Sequence, residues 1–408
     1  MSNPIEGKRI LLGVSGSIAC YKAADLASRL TQAGGLVDVV LTHAAEAFIA
    51  PLTFQSVTGR RAYTDADLWG GEGHVLHVNL GRSADLLVIA PATANTLAKL
   101  AHGQADNLLT LAALTADCPL LLAPAMDGGM FSHPATQANL DVLRQRGAQI
   151  LGPVQGRLAS GLVGPGRMME PLELLGHIRV ALGRDGPLRG RRVVVTAGGT
   201  MEAIDPVRVI TNRSSGKQGF ALAQAALDLG AQVTLIVGSA QATAPVGVQR
   251  VDVDNADEML QAVLAAIPGC DVLLMAAAVA DFKPARFLEQ KIKKAESAPV
   301  IELQMTPDIL AAVAQEKSRL GFPRVSVGFA AESQNLLENA RIKLHAKQLD
   351  LIVANDITAS DAGFGADENR VTLLDAAGRV EALPLMSKMA VAERVLERVV
   401  ELLGLAPQ

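Results

Sequence analysis

The sequence predicts an α/β protein built from two doubly wound, three-layer units. Short runs of Val, Leu, Ile and Ala alternate with stretches that are apolar every three or four residues, the rhythm of successive βα units. Half of the 408 residues are hydrophobic but only 3% are aromatic. The core must therefore be Ala, Val, Leu and Ile, which suits largely parallel sheets covered on both faces by helices. The chain also exceeds the roughly 250–300 residues that one core sustains. Its rhythm breaks once, at GRDGPLRG (183–190), and then restarts. The expected division is 1–182, a linker over 183–190, and 191–408.

In the first half, residues 9–14 read as a buried strand ending at Gly13, Gly16 and Ser17. Ala19, Ala23, Leu26, Ala27 and Leu30 then share one helical face, and Gly34-Gly35 stops that helix before a strand at 36–41. Further strands read at 86–90, 120–123 and 149–151, with helices at 95–101, 107–116 and 135–147 and another ending near 182. In the second half, strands read at 192–196, 233–237, 248–253, 272–275, 325–327 and 351–354. Helices read at 219–229, 257–267, 307–315, 336–347 and a last one to about 403. Residues 369–374 and 379–383 flank Ala376-Ala377-Gly378 and predict a hairpin. Both halves are Rossmann-like in pattern, without a shared sequence repeat.

The formal net charge of -4 gives no sign of a nucleic-acid partner. Cys20, Cys118 and Cys270 are scattered and form no CxxC pair, so neither a disulfide framework nor a structural zinc site is expected. The first residues pass straight into a strand pattern without the features of a signal peptide, and no uncharged apolar stretch reaches the length of a membrane span. A cytoplasmic protein with no membrane partner is expected.

Several local motifs carry little by themselves. Gly13-Val14-Ser15-Gly16-Ser17 follows a strand but is not GxGxxG; it reads equally as a tight turn or as a phosphate-binding junction. Asn212-Arg213-Ser214-Ser215-Gly216-Lys217 contains SGK, but Gln218 follows and no Gly stands at the P-loop offset. A Walker A site is excluded. Small hydroxyls, a Gly and two cations before a helix still form a candidate anion cradle. No HxxxH pair and no GxSxG elbow occur, which removes support for zinc and serine hydrolases.

Longer strings are more specific. In order they are GVSGSIACYK (13–22), HVNLGRSADLLVIAPATANTLAKLAHGQADNLL (77–109), PAMDGGM (124–130), GPGRMMEP (164–171), TAGGT (196–200), IDPVRVITNRSSGKQG (204–219), AAAVADF (276–282), KIKK (291–294), TPDIL (306–310), VGFAAES (327–333) and LIVANDI (351–357). Over nearly the whole chain this series resembles the bacterial bifunctional phosphopantothenoylcysteine decarboxylase / phosphopantothenate–cysteine ligase family. The resemblance implies a flavodoxin-like, FMN-binding first domain and a nucleotide-binding ligase second domain. Together they would make 4'-phosphopantetheine from 4'-phosphopantothenate, cysteine and CTP. It also implies a homo-oligomer in which the flavin domain trimerises and the ligase dimerises, compatible with a closed dodecamer. Two alternatives stay open: an active ligase with an impaired flavin domain, and a regulatory flavin-binding protein.

By the same resemblance, Gly16, Ser17 and Thr42 lie near the FMN phosphate, and Pro91, Ala92, Thr93, Ala94, Asn95, Asp106 and Asn107 line the flavin. His77 is the expected active-site histidine, while Met126 and Arg167 are expected to contact substrate. Two positions depart from the family. Asp127 stands where the family has Asn in PAMN, and Ser160 stands where a flap Cys acts as the acid. Serine is a much weaker acid than cysteine, so Asp127 and Ser160 are read as a compensating pair. In the second half, Asp281 is the expected Mg2+ ligand, a hard-oxygen donor. Met275, Ala276, Ala277, Pro307, Asp308, Ile309, Leu310, Phe329, Lys291, Lys343 and Lys347 are the expected CTP contacts. Lys291 is also implicated in the amine step. Asn212 is expected to hold the acyl-cytidylate, with Arg208 beside it.

Overall fold

A computed structural model describes residues 3–69, 75–158, 161, 163–240, 242–293, 300–332, 335–356 and 366–405. Ser160 and Lys294 lie outside the described residues. The chain folds as two units, Ser2–Leu182 and Gly183–Gln408.

The first unit opens with β1 (Arg9–Val14), α1 (Cys20–Gln32), β2 (Leu36–Leu41), α2 (His43–Glu46), α3 (Pro51–Thr58) and the short β3 (Ala62–Tyr63). It continues with α4 (Leu76–Ser83), β4 (Leu86–Ala92), α5 (Ala94–His102), α6 (Leu108–Thr115), β5 (Leu120–Pro124), α7 (Gly128–Ser132), α8 (Pro134–Gln145) and β6 (Gln149–Ile150). The antiparallel strands β7 (Val154–Arg157) and β8 (Val163–Arg167) precede α9 (Pro171–Gly183). The sheet is parallel, in the order β3-β2-β1-β4-β5-β6. Leaving aside the two-residue β3, this is the flavodoxin-like order, and it reverses between β1 and β4. Both faces are covered, so the central strands are mainly apolar; Arg9 begins β1, and the buried Asp38 in β2 pairs with Arg60 at 2.9 Å. Ile10, Leu12 and Val14 pack with residues of α1 and α9, whereas Leu11, Leu87 and Ile89 pack with residues of α5, α6 and α8.

The second unit begins with β9 (Arg192–Ala197), β10 (Met201–Ala203), β11 (Val209–Thr211), α10 (Lys217–Asp228), β12 (Gln232–Val237), β13 (Gln249–Asp252), α11 (Ala256–Ala266) and β14 (Val272–Met275). Next come β15 (Phe282–Pro284), β16 (Leu303–Met305), α12 (Ile309–Leu320), β17 (Val325–Glu332), α13 (Leu336–Ala346) and β18 (Leu351–Asp356). The last elements are β19 (Glu368–Asn369), β20 (Val371–Asp375), β21 (Val380–Ala382), β22 (Met386–Ser387) and α14 (Lys388–Leu402). The main sheet runs β13-β12-β9-β14-β17-β18-β20-β21, with its first six strands parallel and the last two antiparallel. The strand order reverses between β9 and β14. Val193 and Val195 pack with α10 and α14 residues, while Val194 packs with α11 and α12 residues.

Differences from the sequence expectation have local causes. The helix expected from 307 starts at Ile309 because the Asp308 side chain caps it, accepting from the Ala311 amide at 3.0 Å. The strand expected at 325–327 runs on to Glu332. Its Gly328, Ala330 and Ala331 have weak β propensity, and parallel pairing with β18 holds them extended. Leu188, in the stretch read as a linker, is fully buried in the second unit's core, and its amide donates to the Leu229 carbonyl at 2.8 Å.

Candidate functional site

Each unit has a cavity at the C-terminal ends of its parallel strands, where α/β sheets bind ligands. The first, of about 630 Å³, is lined by Gly16, Ser17, Thr42, Thr93, Ala94, Asn95, Asp106, Asn107 and Met126. Ser15, His43, Ala44, Asp65, Lys99 and Met130 also line it, and the sequence reading did not single them out. Ser15 ties two central strands together at the reversal. Its buried hydroxyl donates to the Pro91 carbonyl at 2.7 Å and accepts from the Thr93 amide at 3.0 Å. Pro91 and Ala92 thus end β4 beneath the site and do not line it.

The walls are held by caps. Thr93 caps α5, and Asn107 forms a capping box with Thr110 at the start of α6. Asp65 accepts from the amides of Leu108 at 2.9 Å and His43 at 3.3 Å. Lys99 bonds Asp106 at 2.8 Å, and that bond holds the Asp106 carboxyl below its ordinary range. Two features bear on what the cavity could hold. The Thr42 hydroxyl is buried without a hydrogen-bond partner, which is costly unless a ligand supplies one. Gly16 approaches the α2 backbone so closely that a Cβ there would lie 2.6 Å from that of Ala44.

His77, Asp127 and Arg167 do not line this cavity. His77 lies on α4, where its carbonyl accepts from the Thr115 hydroxyl at 3.0 Å. Asp127 caps α7 by accepting from the Gly129 amide at 2.8 Å. Arg167 bonds Glu170 at 2.7 Å, and Glu170 also takes the buried Lys22 ammonium at 2.9 Å. The β7–β8 hairpin sits directly on the Met126–Asp127 backbone. The Met126 amide donates to the Gly166 carbonyl at 3.0 Å, and a Cβ on Gly166 (φ 147°) would lie 2.2 Å from the Met126 oxygen. Burial raises the pKa of all three thiols, that of Cys270 to about 12.

The second cavity, of about 670 Å³, gathers Asn212, Met275, Ala276, Ala277, Asp281, Pro307, Asp308, Ile309, Leu310, Phe329, Lys343 and Lys347. Hydroxyl and amide side chains stitch its loops together. Thr196 accepts from the Ala277 amide at 3.1 Å and Thr200 from the Ala280 amide at 2.9 Å. Thr306 donates to the Ala280 carbonyl at 2.6 Å, and the Asn212 amide group donates to the Val279 carbonyl at 2.9 Å. Asp308 pairs with Lys347. Burial would raise the Asp308 carboxyl, but the Lys347 hydrogen bond, the Ala311 amide and the charges of Lys347 and Lys343 bring it below its ordinary range.

Arg208 and Lys291 do not line this cavity. The buried Asp205 carboxylate joins their two segments by accepting from Arg208, from the Val207 and Arg208 amides, and from the Ile292 amide at 3.0 Å. Burial opposes ionisation of Asp205, but these donors hold its carboxyl well below the carboxylate range. Among the described residues, no three His, Cys, Asp or Glu side chains gather into a metal site. The sequence reading missed Asn355, Asn369 and Lys388, which also line the cavity. The Gln218 and Asn355 side-chain oxygens are buried without partners, which suits a ligand bearing N–H or O–H groups.

Residues 1–182 match the Flavoprotein family and residues 188–403 match the DNA/pantothenate metabolism flavoprotein C-terminal domain. A coenzyme A biosynthesis bifunctional protein CoaBC from Vibrio vulnificus is 44% identical, with 98% of this chain and 99% of that protein covered. The chain belongs to the CoaBC family. The Bacillus subtilis member is also 44% identical, with 98% of each chain covered. A crystal structure of the C-terminal domain of a CoaBC protein is 38% identical, with 54% of this chain and 98% of that one covered, at a TM-score of 0.46. No described helix is long and apolar enough to cross a membrane.

Proposed function

We propose that this chain catalyses two consecutive steps of coenzyme A biosynthesis. Its second unit ligates cysteine to 4'-phosphopantothenate at the expense of CTP, and its first unit decarboxylates the product to 4'-phosphopantetheine using FMN. Support for the ligase site comes from side chains scattered from Asn212 to Lys347 that line one cavity.

In the ligation, an oxygen of the substrate carboxylate attacks the α-phosphorus of CTP. The bond from that phosphorus to the bridging oxygen breaks, and its electron pair leaves with pyrophosphate. The amine of cysteine then attacks the acyl carbon; the bond from that carbon to the phosphoryl oxygen breaks, its electron pair leaves with CMP, and the amine's proton passes to solvent. Asn212 anchors the acyl-cytidylate, while Lys343 and Lys347 hold the nucleotide in place. Phe329 offers a flat apolar wall to the base. Asp281 supplies one carboxylate, enough for a hydrated Mg2+ that arrives on the nucleotide phosphates. Arg208 and Lys291 act from the two segments tied by Asp205.

In the first unit, the orphaned Thr42 hydroxyl and the close approach at Gly16 fit a phosphate-bearing flavin. Gly16, Ser17 and Thr42 would hold the phosphate, while Thr93, Ala94, Asn95, Asp106 and Asn107 would border the ring system. When bound, the flavin supplies the two-electron redox chemistry that makes the carboxylate a leaving group. The chain's own groups orient the substrate. Met126 borders the cavity, and His77 and Arg167 take part as groups outside it. Asp127 and Ser160 are assigned to proton delivery. Assembly into a homo-oligomer belongs to this reading, on the resemblance given above. We assign trimer contacts to the first unit and dimer contacts to the second.

Incubation with 4'-phosphopantothenate, cysteine, CTP and Mg2+ tests both steps. Mass spectrometry should show phosphopantothenoylcysteine, CMP and pyrophosphate, then loss of carbon dioxide from a yellow protein. Absence of CTP-dependent ligation would refute the ligase assignment; ligation without decarboxylation would refute the second step.

A further inference from the structure

Four lysines and two aspartates line the second cavity. Lys343 and Lys347 lie on α13, and Asp308 pairs with Lys347. The other two, Lys217 and Lys388, each occupy the first position of a helix, α10 and α14. A cation there opposes the positive end of the helix dipole. Lys388 is only 9% exposed, and its ammonium has no hydrogen-bond partner among the described residues, although its backbone amide donates to the Asp367 carbonyl and its carbonyl accepts from Gln218. Among the described residues, the anion acting on it is Asp367, which is largely exposed and already bonded to Lys217 at 2.6 Å.

Burial lowers the pKa of Lys388, Lys217 lowers it further by repulsion, and Asp367 offsets this in part. A buried charge is costly unless a partner meets it. Such a local violation of electrostatic preference is expected where a ligand completes the arrangement.

We infer that Lys388, assisted by Lys217, forms a phosphoanion subsite occupied during turnover by the β- and γ-phosphoryl groups of the nucleotide. This rests on the nucleotide reading above. As the bond from the α-phosphorus to the bridging oxygen breaks, the electron pair moves onto pyrophosphate, and no proton is required. Fixed cations are most effective where charge develops. Pyrophosphate carries more charge than the phosphate monoester of 4'-phosphopantothenate, the other phosphoanion the cavity could receive.

Calorimetric titration of the full chain tests this with three probes: inorganic pyrophosphate, CMP and 4'-phosphopantothenate. Lys388→Met should weaken pyrophosphate binding by about tenfold or more, the loss of one charge-assisted hydrogen bond, and leave CMP and 4'-phosphopantothenate unaffected. Lys388→Arg should retain most of the pyrophosphate affinity. Lys217→Met, at a less buried position, should weaken pyrophosphate in the same direction by a smaller factor. The thermal midpoint of Lys388→Met should not fall, because an unpaired buried charge is removed.

Unchanged pyrophosphate affinity in both methionine variants, with CMP still binding, would overturn the subsite. Selective loss of 4'-phosphopantothenate would also overturn it and assign the lysines to the acid substrate. Wild-type protein that binds neither CMP nor pyrophosphate would overturn the nucleotide reading itself. A Lys388→Met variant that fails to fold would leave the Lys388→Arg and Lys217→Met titrations to decide.

Discussion

The two cavities are almost equal in size, about 630 and 670 Å³, and both open at the C-terminal ends of parallel strands. Their charge is arranged in opposite ways. In the first, Lys99 is bonded to Asp106, Asp65 accepts from two backbone amides, and the rest, apart from His43, Met126 and Met130, is hydroxyl, amide and small side chains. In the second, four lysines face two aspartates. Topology places a site, and the side chains around it decide what enters. The first cavity adjoins the close approach of Gly16 to Ala44, whereas the second carries an excess of cations.

The sharpest way to break this contrast is to fill the close approach. Gly16→Val places a branched side chain where even a Cβ would lie 2.6 Å from Ala44. The expected result is colourless purified protein and loss of decarboxylation by about a hundredfold or more, since the flavin does the chemistry. Ligation should continue unchanged. The ratio of flavin to protein absorbance, with both assays run in parallel, checks it. Ligation that falls with flavin content would mean that the two sites do not work separately.

The matching change in the second cavity is Lys347→Met. It removes a cation and leaves Asp308, which Lys347 and its neighbours keep ionised, as an uncompensated negative charge beside the nucleotide. Charge-assisted hydrogen bonds contribute about 1.5–3 kcal/mol, so the KM for CTP should rise about ten- to a hundredfold. Flavin content should not move. An unchanged KM would place the nucleotide elsewhere.

Asp205→Asn probes a residue outside both cavities. It keeps the size of the side chain but loses the charge that holds Arg208 and the segment carrying Lys291. A fall in ligation kcat/KM of about tenfold is expected, the scale of one weakened buried hydrogen bond. The sign of the pH effect follows from its lowered carboxyl. The folded pKa lies below the unfolded value of about 3.9. The stability from Asp205 is therefore present above that value and is lost as pH falls through the folded pKa. Thermal unfolding of Asp205→Asn should lose this part of the acid sensitivity.

The contrast also marks what the sequence could reveal. Strands buried on both faces announce themselves as largely apolar runs, interrupted here only by Arg9 and Asp38, so β1, β2 and β14 have the expected bounds. Small residues held extended by a parallel neighbour, as at Gly328, Ala330 and Ala331 in β17, carry no such signal. Residues in continuous motifs, such as the Asp308 segment, reach their cavity together. Lys388 was invisible because MSKMAVAE reads as the exposed start of an amphipathic helix, and only the packed fold buries that lysine. Ser15 carries no local signal, because its value lies in a contact with Pro91, 76 residues away. His77, Asp127 and Arg167 show the reverse: motif neighbours do not all converge on one cavity within one chain.

The smallest effect concerns Asp127, where the flavin unit departs from its family. Asn and Asp cap helices about equally well, so Asp127→Asn should preserve the bond to the Gly129 amide and shift stability by no more than about 0.5 kcal/mol. Any change in decarboxylation then reports chemistry and not folding. If Asp127 and Ser160 deliver a proton together, Asp127→Asn and Ser160→Ala should each slow turnover several-fold, and the double variant should be no slower than either, the non-additivity expected of residues acting as one unit. Full activity in Asp127→Asn would dissolve the pair. The carboxylate would then serve only as the cap of α7, and the proton would have to come from another group.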